Sequence, residues 1–70
     1  MKYDLVGQDG NAYAIMGYTQ KCMRAEGFSK EEIDAYIKEA TSGDYHHLLA
    51  TSYKFIDQCN DRFIARDGEV

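Results

Sequence analysis

The chain has 70 residues, no proline, six tyrosines and a formal net charge of −4. A domain of this size buries only about 60% of the surface that its unfolded chain exposes, so we expect one domain, residues 1–70, with a small core. The longest uncharged run, residues 10–20, is much shorter than the ~20 apolar residues of a membrane span. Eight basic residues against twelve acidic ones also argue against direct nucleic-acid binding.

The first residues and the two cysteines indicate a cytoplasmic protein. Asp4 follows Met1 closely and no apolar stretch comes behind it, so no secretory signal is expected. Cys22 and Cys59 form neither a C-x-x-C pair nor a disulfide framework. We therefore expect both cysteines to be reduced and buried.

The N-terminal third predicts a short strand, a turn and a helix. Residues 2–6 alternate polar and apolar side chains, which is typical of a strand, and residues 7–11 break that pattern. Asp9-Gly10 is also a hairpin signal, but helical spacing after Asn11 argues against a second strand. We predict a helix over residues 12–26 that ends at Gly27. Its apolar stripe consists of Ala12, Ile15, Met16, Thr19, Cys22 and Met23.

The second helix has the sharpest local signal in the sequence. Ser29 and Glu32 form a capping box, and Phe28 and Ile33 stand at the positions of a hydrophobic staple. The helix should end at Ser42-Gly43. Its buried face is predicted to contain Ile33, Tyr36, Ile37 and Ala40.

The third helix should begin after Asp44 and continue at least to Phe63. Residues 62–68 are ambiguous, because they suit either the end of this helix or a short strand against residues 2–6. The predicted fold is mainly α (α+β), with three helices, an N-terminal strand and a C-terminal segment that can be helix or strand.

No group of residues predicts catalysis, a metal or a cofactor. His46 and His47 are adjacent on a helix and point about 100° apart, so they cannot share a metal ion, and no other ligand motif accompanies them. Cys22 and Cys59 lie on apolar stripes, where a thiol lacks the electropositive setting of a nucleophile. We therefore predict a protein that is not an enzyme.

Residues 7–11, Gly-Gln-Asp-Gly-Asn, precede a helix N-terminus and have the outline of a phosphate cradle. The pattern is not that of a P-loop, and Asp9 would repel a phosphate, so a simple turn is the expected structure. A cation from a neighbouring subunit would be needed to make this turn a phosphate site.

The tyrosines divide into two groups on the helical wheels. Tyr36 and Tyr45 turn toward the core, whereas other tyrosines border it, and Gly17 inside a helix suggests the close approach of another molecule. Residues on this exposed border are the candidates for a ligand site or interface: Tyr13, Gly17, Tyr18, Lys21, Arg24 and Tyr53. The alternative, which stays open, is that Tyr13 and Tyr18 pack beneath the strand or the tail.

The negative charge is concentrated in residues 28–45, which have five acidic residues against two lysines. The carboxylates of the second helix are candidates for an acidic binding surface: Glu31, Glu32, Asp34 and Glu39. The simpler explanation of the same charges, and the one that charged helix faces generally favour, is a solvated face without any partner.

Four stretches carry a resemblance to known proteins. They are residues 5–17 (LVGQDGNAYAIMG), 25–27 (AEG), 30–35 (KEEIDA) and 39–49 (EATSGDYHHLL). In these stretches the chain resembles a group of short, mostly uncharacterised proteins of bacteriophages and gut-type bacteria. The resemblance implies a phage, prophage or mobile-element product that acts in the cytoplasm of a bacterial host, and it implies no catalytic residues.

Three functions are compatible with these features. In the first, a homo-oligomer sequesters a nucleotide signal of host immunity in pockets between subunits, with tyrosines stacking on the base and Lys21 or Arg24 holding phosphate. In the second, the acidic surface docks on a host defence protein or imitates nucleic acid. In the third, the chain is an accessory phage or bacterial protein without a role against host defence.

Overall fold

A computed structural model describes residues 2–67, which form three helices: α1 (Ala12–Ala25), α2 (Lys30–Ala40) and α3 (Tyr45–Asp67). The contact between α1 and α3 is the largest, and α2 packs on the same long helix beside α1. The mainly α class is therefore confirmed. The molecule is flat, with extents of 36 × 27 × 15 Å.

Neither predicted strand is present in residues 2–67. Residues 2–5 have no regular secondary structure, and side chains of α1 and α3, rather than a neighbouring strand, bond the backbone of Tyr3 and Asp4. Residues 62–67 form the last turns of α3, because Phe63 continues the apolar stripe of that helix. Both strand predictions are wrong for these residues, and residue 68 lies outside the described part of the chain.

Each helix begins at the cap that its sequence predicts. The Asn11 side chain accepts from the Tyr13 N–H, Ser29 and Glu32 form the reciprocal capping box, and Asp44 Oδ1 accepts from the His47 N–H at 2.9 Å. α1 ends one residue earlier than predicted, with Glu26 as its cap and Gly27 at φ +79°. Only glycine adopts that left-handed conformation without strain, which explains the sharp turn into α2.

The core runs along α3 and takes side chains from every helix. The largest fully buried side chain is that of Tyr36, and Phe28 and Ile33 are buried as the predicted staple. The other buried apolar residues include Ile15, Cys22, Met23, Ala40, Leu48, Ile56 and Cys59.

Tyr45 is the exception to the predicted core, because it is 42% exposed. It is the first residue of α3, and its hydroxyl donates to the backbone carbonyl of Gly10. The side chain thus fastens the loop before α1 instead of filling the core.

Candidate functional site

Residues 2–5, which we call the strap, lie across α1 and the C-terminal part of α3. The Asn60 side chain accepts from the Tyr3 N–H and donates to the Tyr3 carbonyl, both at 2.9 Å. The Asp4 N–H donates to the Tyr18 hydroxyl at 3.0 Å. Tyr3 and Leu5 are buried, so the strap is part of the core cluster.

A buried carboxylate lies beneath the strap. The Glu26 side chain is only 1% exposed, and its Oε2 accepts from the Tyr3 hydroxyl at 2.5 Å and from Arg66 at 2.9 Å. Burial, followed by the bond to Glu26, raises the pKa of Tyr3 well above its ordinary value. The phenol therefore stays protonated and acts as a donor to Glu26.

Beside this network is a cleft of about 450 Å³ between the strap, α1 and the end of α3, which we call the strap cleft. It is lined by three cationic residues, two tyrosines and two small residues: Lys2, Lys21, Arg66, Tyr3, Tyr18, Cys22 and Ala25. Although the chain is acidic overall, this cleft collects positive charge. Such a wall attracts anions.

The two lysines of the cleft are held differently. Lys2 Nζ lies 4.6 Å from the ring centroid of Phe63 and 5.9 Å from that of Tyr3, which are cation–π distances. Lys21 is exposed, and among the described residues no carboxylate lies within 4.0 Å of its ammonium group. Lys21 is therefore available to an anionic ligand.

Tyr18 and Cys22 form the α1 wall of the cleft. The Tyr18 ring is half-buried, and its hydroxyl is engaged by the strap, so the orientation of the ring is fixed. Burial raises the pKa of the Cys22 thiol, although the hydrogen bond with Tyr18 opposes this effect. Cys22 is thus a neutral thiol rather than a nucleophile.

The other predicted ligand residues lie elsewhere. Arg24 lines a second groove with Phe28 and Ile33 and donates to Gln20 at 3.3 Å. Tyr13 is 82% exposed and borders a third groove, and Tyr53 is partly exposed on α3. Gly17 is exposed, and a Cβ added there would meet nothing within 4 Å. Of the six candidates, the strap cleft brings together Tyr18 and Lys21.

Most of the predicted acidic surface already has local partners. Glu32 completes the capping box and lies 3.6 Å from Arg62, and Asp34 pairs with Lys30 at 3.1 Å. The Glu39 carboxylate lies 2.9 Å from His47 Nε2. Glu31 is exposed on the same helix.

His47 serves the end of α2. Its Nε2 lies 2.9 Å from the Glu39 carbonyl, so the ring covers the last turn of that helix. The same ring passes over Gly43, where a Cβ would stand 2.9 Å from it. Within residues 2–67, no group of three His, Cys, Asp or Glu side chains is placed to hold a metal ion.

Five residues of the strap region were not among the site candidates predicted from the sequence: Lys2, Tyr3, Glu26, Asn60 and Arg66. One signal for two of them is present in the sequence. Glu26 follows Cys22 and Met23 at helical spacing, and Asn60 follows Ile56, so both are polar residues on an apolar stripe. A polar residue in that position needs a buried partner, which the strap supplies.

No family model, curated protein or solved structure matches the chain. In the described part of the chain, no helix is both long and apolar enough to span a bilayer. The strap cleft, with its cationic and aromatic lining, is the feature of the described residues that bears most directly on function.

Proposed function

We propose that the chain is a small non-enzymatic binding protein that takes a phosphorylated ligand of the nucleotide class in the strap cleft. The observation that carries the proposal is the gathering of Lys2, Lys21 and Arg66 beside Tyr3 and Tyr18 in one cleft of an acidic protein. A cleft of about 450 Å³ lies within the ordinary size range of small-molecule sites.

The residue types suit the two halves of a nucleotide. Lysine ammonium groups act as point charges on phosphate, and Lys2 and Lys21 line the same cleft. Arg66 already pairs with the Glu26 carboxylate, which offsets its charge, so the positive potential of the cleft comes mainly from the two lysines. The fixed Tyr18 ring offers an aromatic surface on which a base can stack.

The proposed biological role rests on the resemblance to short phage proteins. A phage product that binds a nucleotide without converting it would act by sequestering a host immune signal. The neutral Cys22 thiol in the cleft wall agrees with binding rather than covalent chemistry. In a homo-oligomer, a neighbouring copy would cover the open side of the cleft and complete the enclosure of the ligand.

The acidic surface is the weaker candidate. Glu32, Asp34 and Glu39 have partners on their own or the adjacent helix, so their charges are partly used in stabilising helix ends. A protein partner would have to displace these contacts or bind mainly through the Glu31 carboxylate. No described contact favours this function over a solvated helix face.

Isothermal titration calorimetry with four probes tests the proposal: inorganic pyrophosphate, AMP, a cyclic dinucleotide and adenosine. The phosphorylated probes should bind and adenosine should not, and the affinity should fall as salt rises. Lys21→Ala should weaken binding about tenfold, because one charged contact is worth roughly 1.4 kcal/mol. The matched control is Lys38→Ala, which removes an exposed lysine from α2 and should leave binding unchanged.

Mass spectrometry of the recovered ligand, and light scattering before and after its addition, complete the test. A sequestering protein returns the ligand with its mass unchanged, whereas an enzyme returns a product. Equal binding by wild type and Lys21→Ala, or no binding of any phosphorylated probe, would contradict the proposal. A monomer in both states would remove the part of it that invokes a neighbouring copy.

A further inference from the structure

We infer that Asn60 is a positioning residue of the strap cleft, because its side chain docks the strap and couples strap docking to ligand binding. The role of Asn60 in docking the strap is supported by the geometry alone. The coupling of strap docking to ligand binding rests on the proposed function.

The Asn60 carboxamide replaces a neighbouring strand. It satisfies both the N–H and the carbonyl of Tyr3 at 2.9 Å, across 57 residues of sequence. Asn60 is 3% exposed, so its carboxamide is shielded from water while the strap is docked and depends on the Tyr3 backbone for these partners. This pair of bonds fixes the register of the strap on α3.

Besides the bonds from Asn60, the strap is held by the burial of Tyr3 and Leu5 and by few polar contacts. The Tyr3 hydroxyl bonds Glu26, and the Asp4 N–H bonds Tyr18. The packing of α1, α2 and α3 on one another does not pass through the strap. A four-residue terminal segment without regular secondary structure, with two side chains buried, is expected to open locally at a lower free energy than the whole domain unfolds.

Opening of the strap would dismantle the cleft. Lys2 and Tyr3 belong to the strap, while Tyr18, Lys21 and Cys22 belong to α1. A ligand that contacts both walls binds only when the strap is docked. By linkage, such a ligand stabilises docking, and a variant that undocks the strap lowers the apparent affinity in proportion to the docked fraction.

The two cysteines provide a direct readout. Cys22 lies in the cleft wall and is 2% exposed when the strap is docked, whereas Cys59 is fully buried in the core. Alkylation with N-ethylmaleimide, followed by trypsin and mass spectrometry, separates the two sites in the peptides 22–24 and 55–62. Labelling of Cys22 reports strap opening, and Cys59, which does not line the strap cleft, is the reference site for larger openings.

Asn60→Ala should accelerate labelling of Cys22 about tenfold, with a much smaller change at Cys59. Ser52→Ala is the matched control, because it removes a buried hydrogen bond to Tyr36 on the α2 side and leaves the strap contacts intact. It should accelerate both sites equally. If Asn60→Ala does not fold, Tyr3→Phe removes the bond to Glu26, keeps the ring and should give the same selective opening.

The outcomes separate the two halves of the inference. Equal acceleration of Cys22 and Cys59 in Asn60→Ala and Tyr3→Phe would overturn strap docking as a local event. Selective opening with unchanged affinity for the phosphorylated probes would overturn the coupling while the proposed function stands. Failure of wild type to bind those probes would end the proposed function and the coupling together, and the labelling result would still decide the docking role of Asn60.

Discussion

Two regions that meet along α3 are built in different ways. In the α2 region, the Tyr36 ring packs against Phe55 in the apolar cluster that includes Phe28 and Ile33, and its hydroxyl lies 2.6 Å from that of Ser52. In the strap region, a buried carboxylate and a buried carboxamide hold a segment without regular secondary structure. The first region depends on apolar packing and local caps, whereas the second depends on polar groups that need one another across the whole sequence.

The largest expected effect lies in the α2 region. Tyr36→Ala empties the centre of the core and should cost about 3–5 kcal/mol in the free energy of unfolding. A urea titration followed by circular dichroism measures this loss. Tyr13→Ala, at an exposed position, should change the same quantity by less than about 0.5 kcal/mol. Similar losses in both variants would show that the core is not where the structure places it.

Next in size is the polar network beneath the strap. Glu26→Gln keeps the shape of the side chain but removes the charge that accepts from Tyr3 and Arg66, and should cost about 2 kcal/mol. Thermal unfolding measures the difference. Glu31→Gln, an exposed change on α2, is the control and should be nearly neutral. A larger loss in Glu31→Gln would contradict the assignment of Glu26 as the buried carboxylate.

The capping box of α2 should contribute less. Ser29→Ala removes the acceptor for the Glu32 N–H and should cost about 1 kcal/mol. Ser29→Asp retains an acceptor at the cap and should recover most of this stability. The comparison is made by denaturant titration, and an unchanged midpoint for Ser29→Ala would exclude the cap as a source of stability.

Two glycines should respond in opposite directions. Gly17→Ala should raise stability by about 0.5–1 kcal/mol, because the site is open and alanine favours helix. Gly43→Ala should lower it, because a Cβ would stand 2.9 Å from the His47 ring. Calorimetry at two protein concentrations adds a check on Gly17: a concentration-dependent loss in Gly17→Ala would show that another chain packs there.

The smallest expected effect on the free energy of unfolding comes from protonation of the Glu32 carboxylate in acid. The bond from the Ser29 N–H, followed by the Ser29 hydroxyl and Arg62, lowers the pKa of this carboxyl. Its contribution to stability is therefore present above about pH 4.5 and is lost as the pH falls through the lowered value. The stability difference between wild type and Glu32→Gln should be constant at neutral pH and shrink in acid, and a difference that grows in acid would reverse the assigned sign.

These two regions also explain what could be predicted from the sequence. The capping box, the staple and the Tyr36 stripe act within one or two helical turns, so the α2 region follows from local rules. The position of the strap does not follow from local rules. Its alternating sequence pattern is the same whether a neighbouring strand or an asparagine side chain makes the hydrogen bonds to its backbone. Tyr45 was misplaced for a related reason, since a helical wheel ignores where the helix lies relative to the core.

The candidate site was predicted only in part, because spacing along one helix identifies some of its residues and cannot identify those from distant parts of the chain. Tyr18 and Lys21 are close on one helix, and their spacing shows it. Lys2 and Arg66 join them from opposite ends of the chain, and no periodicity links such distant positions. A polar residue on an apolar stripe, such as Glu26 or Asn60, is the local mark of such a long-range arrangement.

The proposed function and the proposed coupling through Asn60 both depend on the binding of a phosphorylated ligand in the strap cleft. A ¹⁵N-edited NMR titration of the whole chain with AMP or pyrophosphate tests it most directly. We expect saturable shifts confined to the strap, to Tyr18, Lys21 and Cys22 on α1 and to the end of α3, with none at Ile33 or Tyr36. Shifts absent from these residues, or centred on α2, would contradict it.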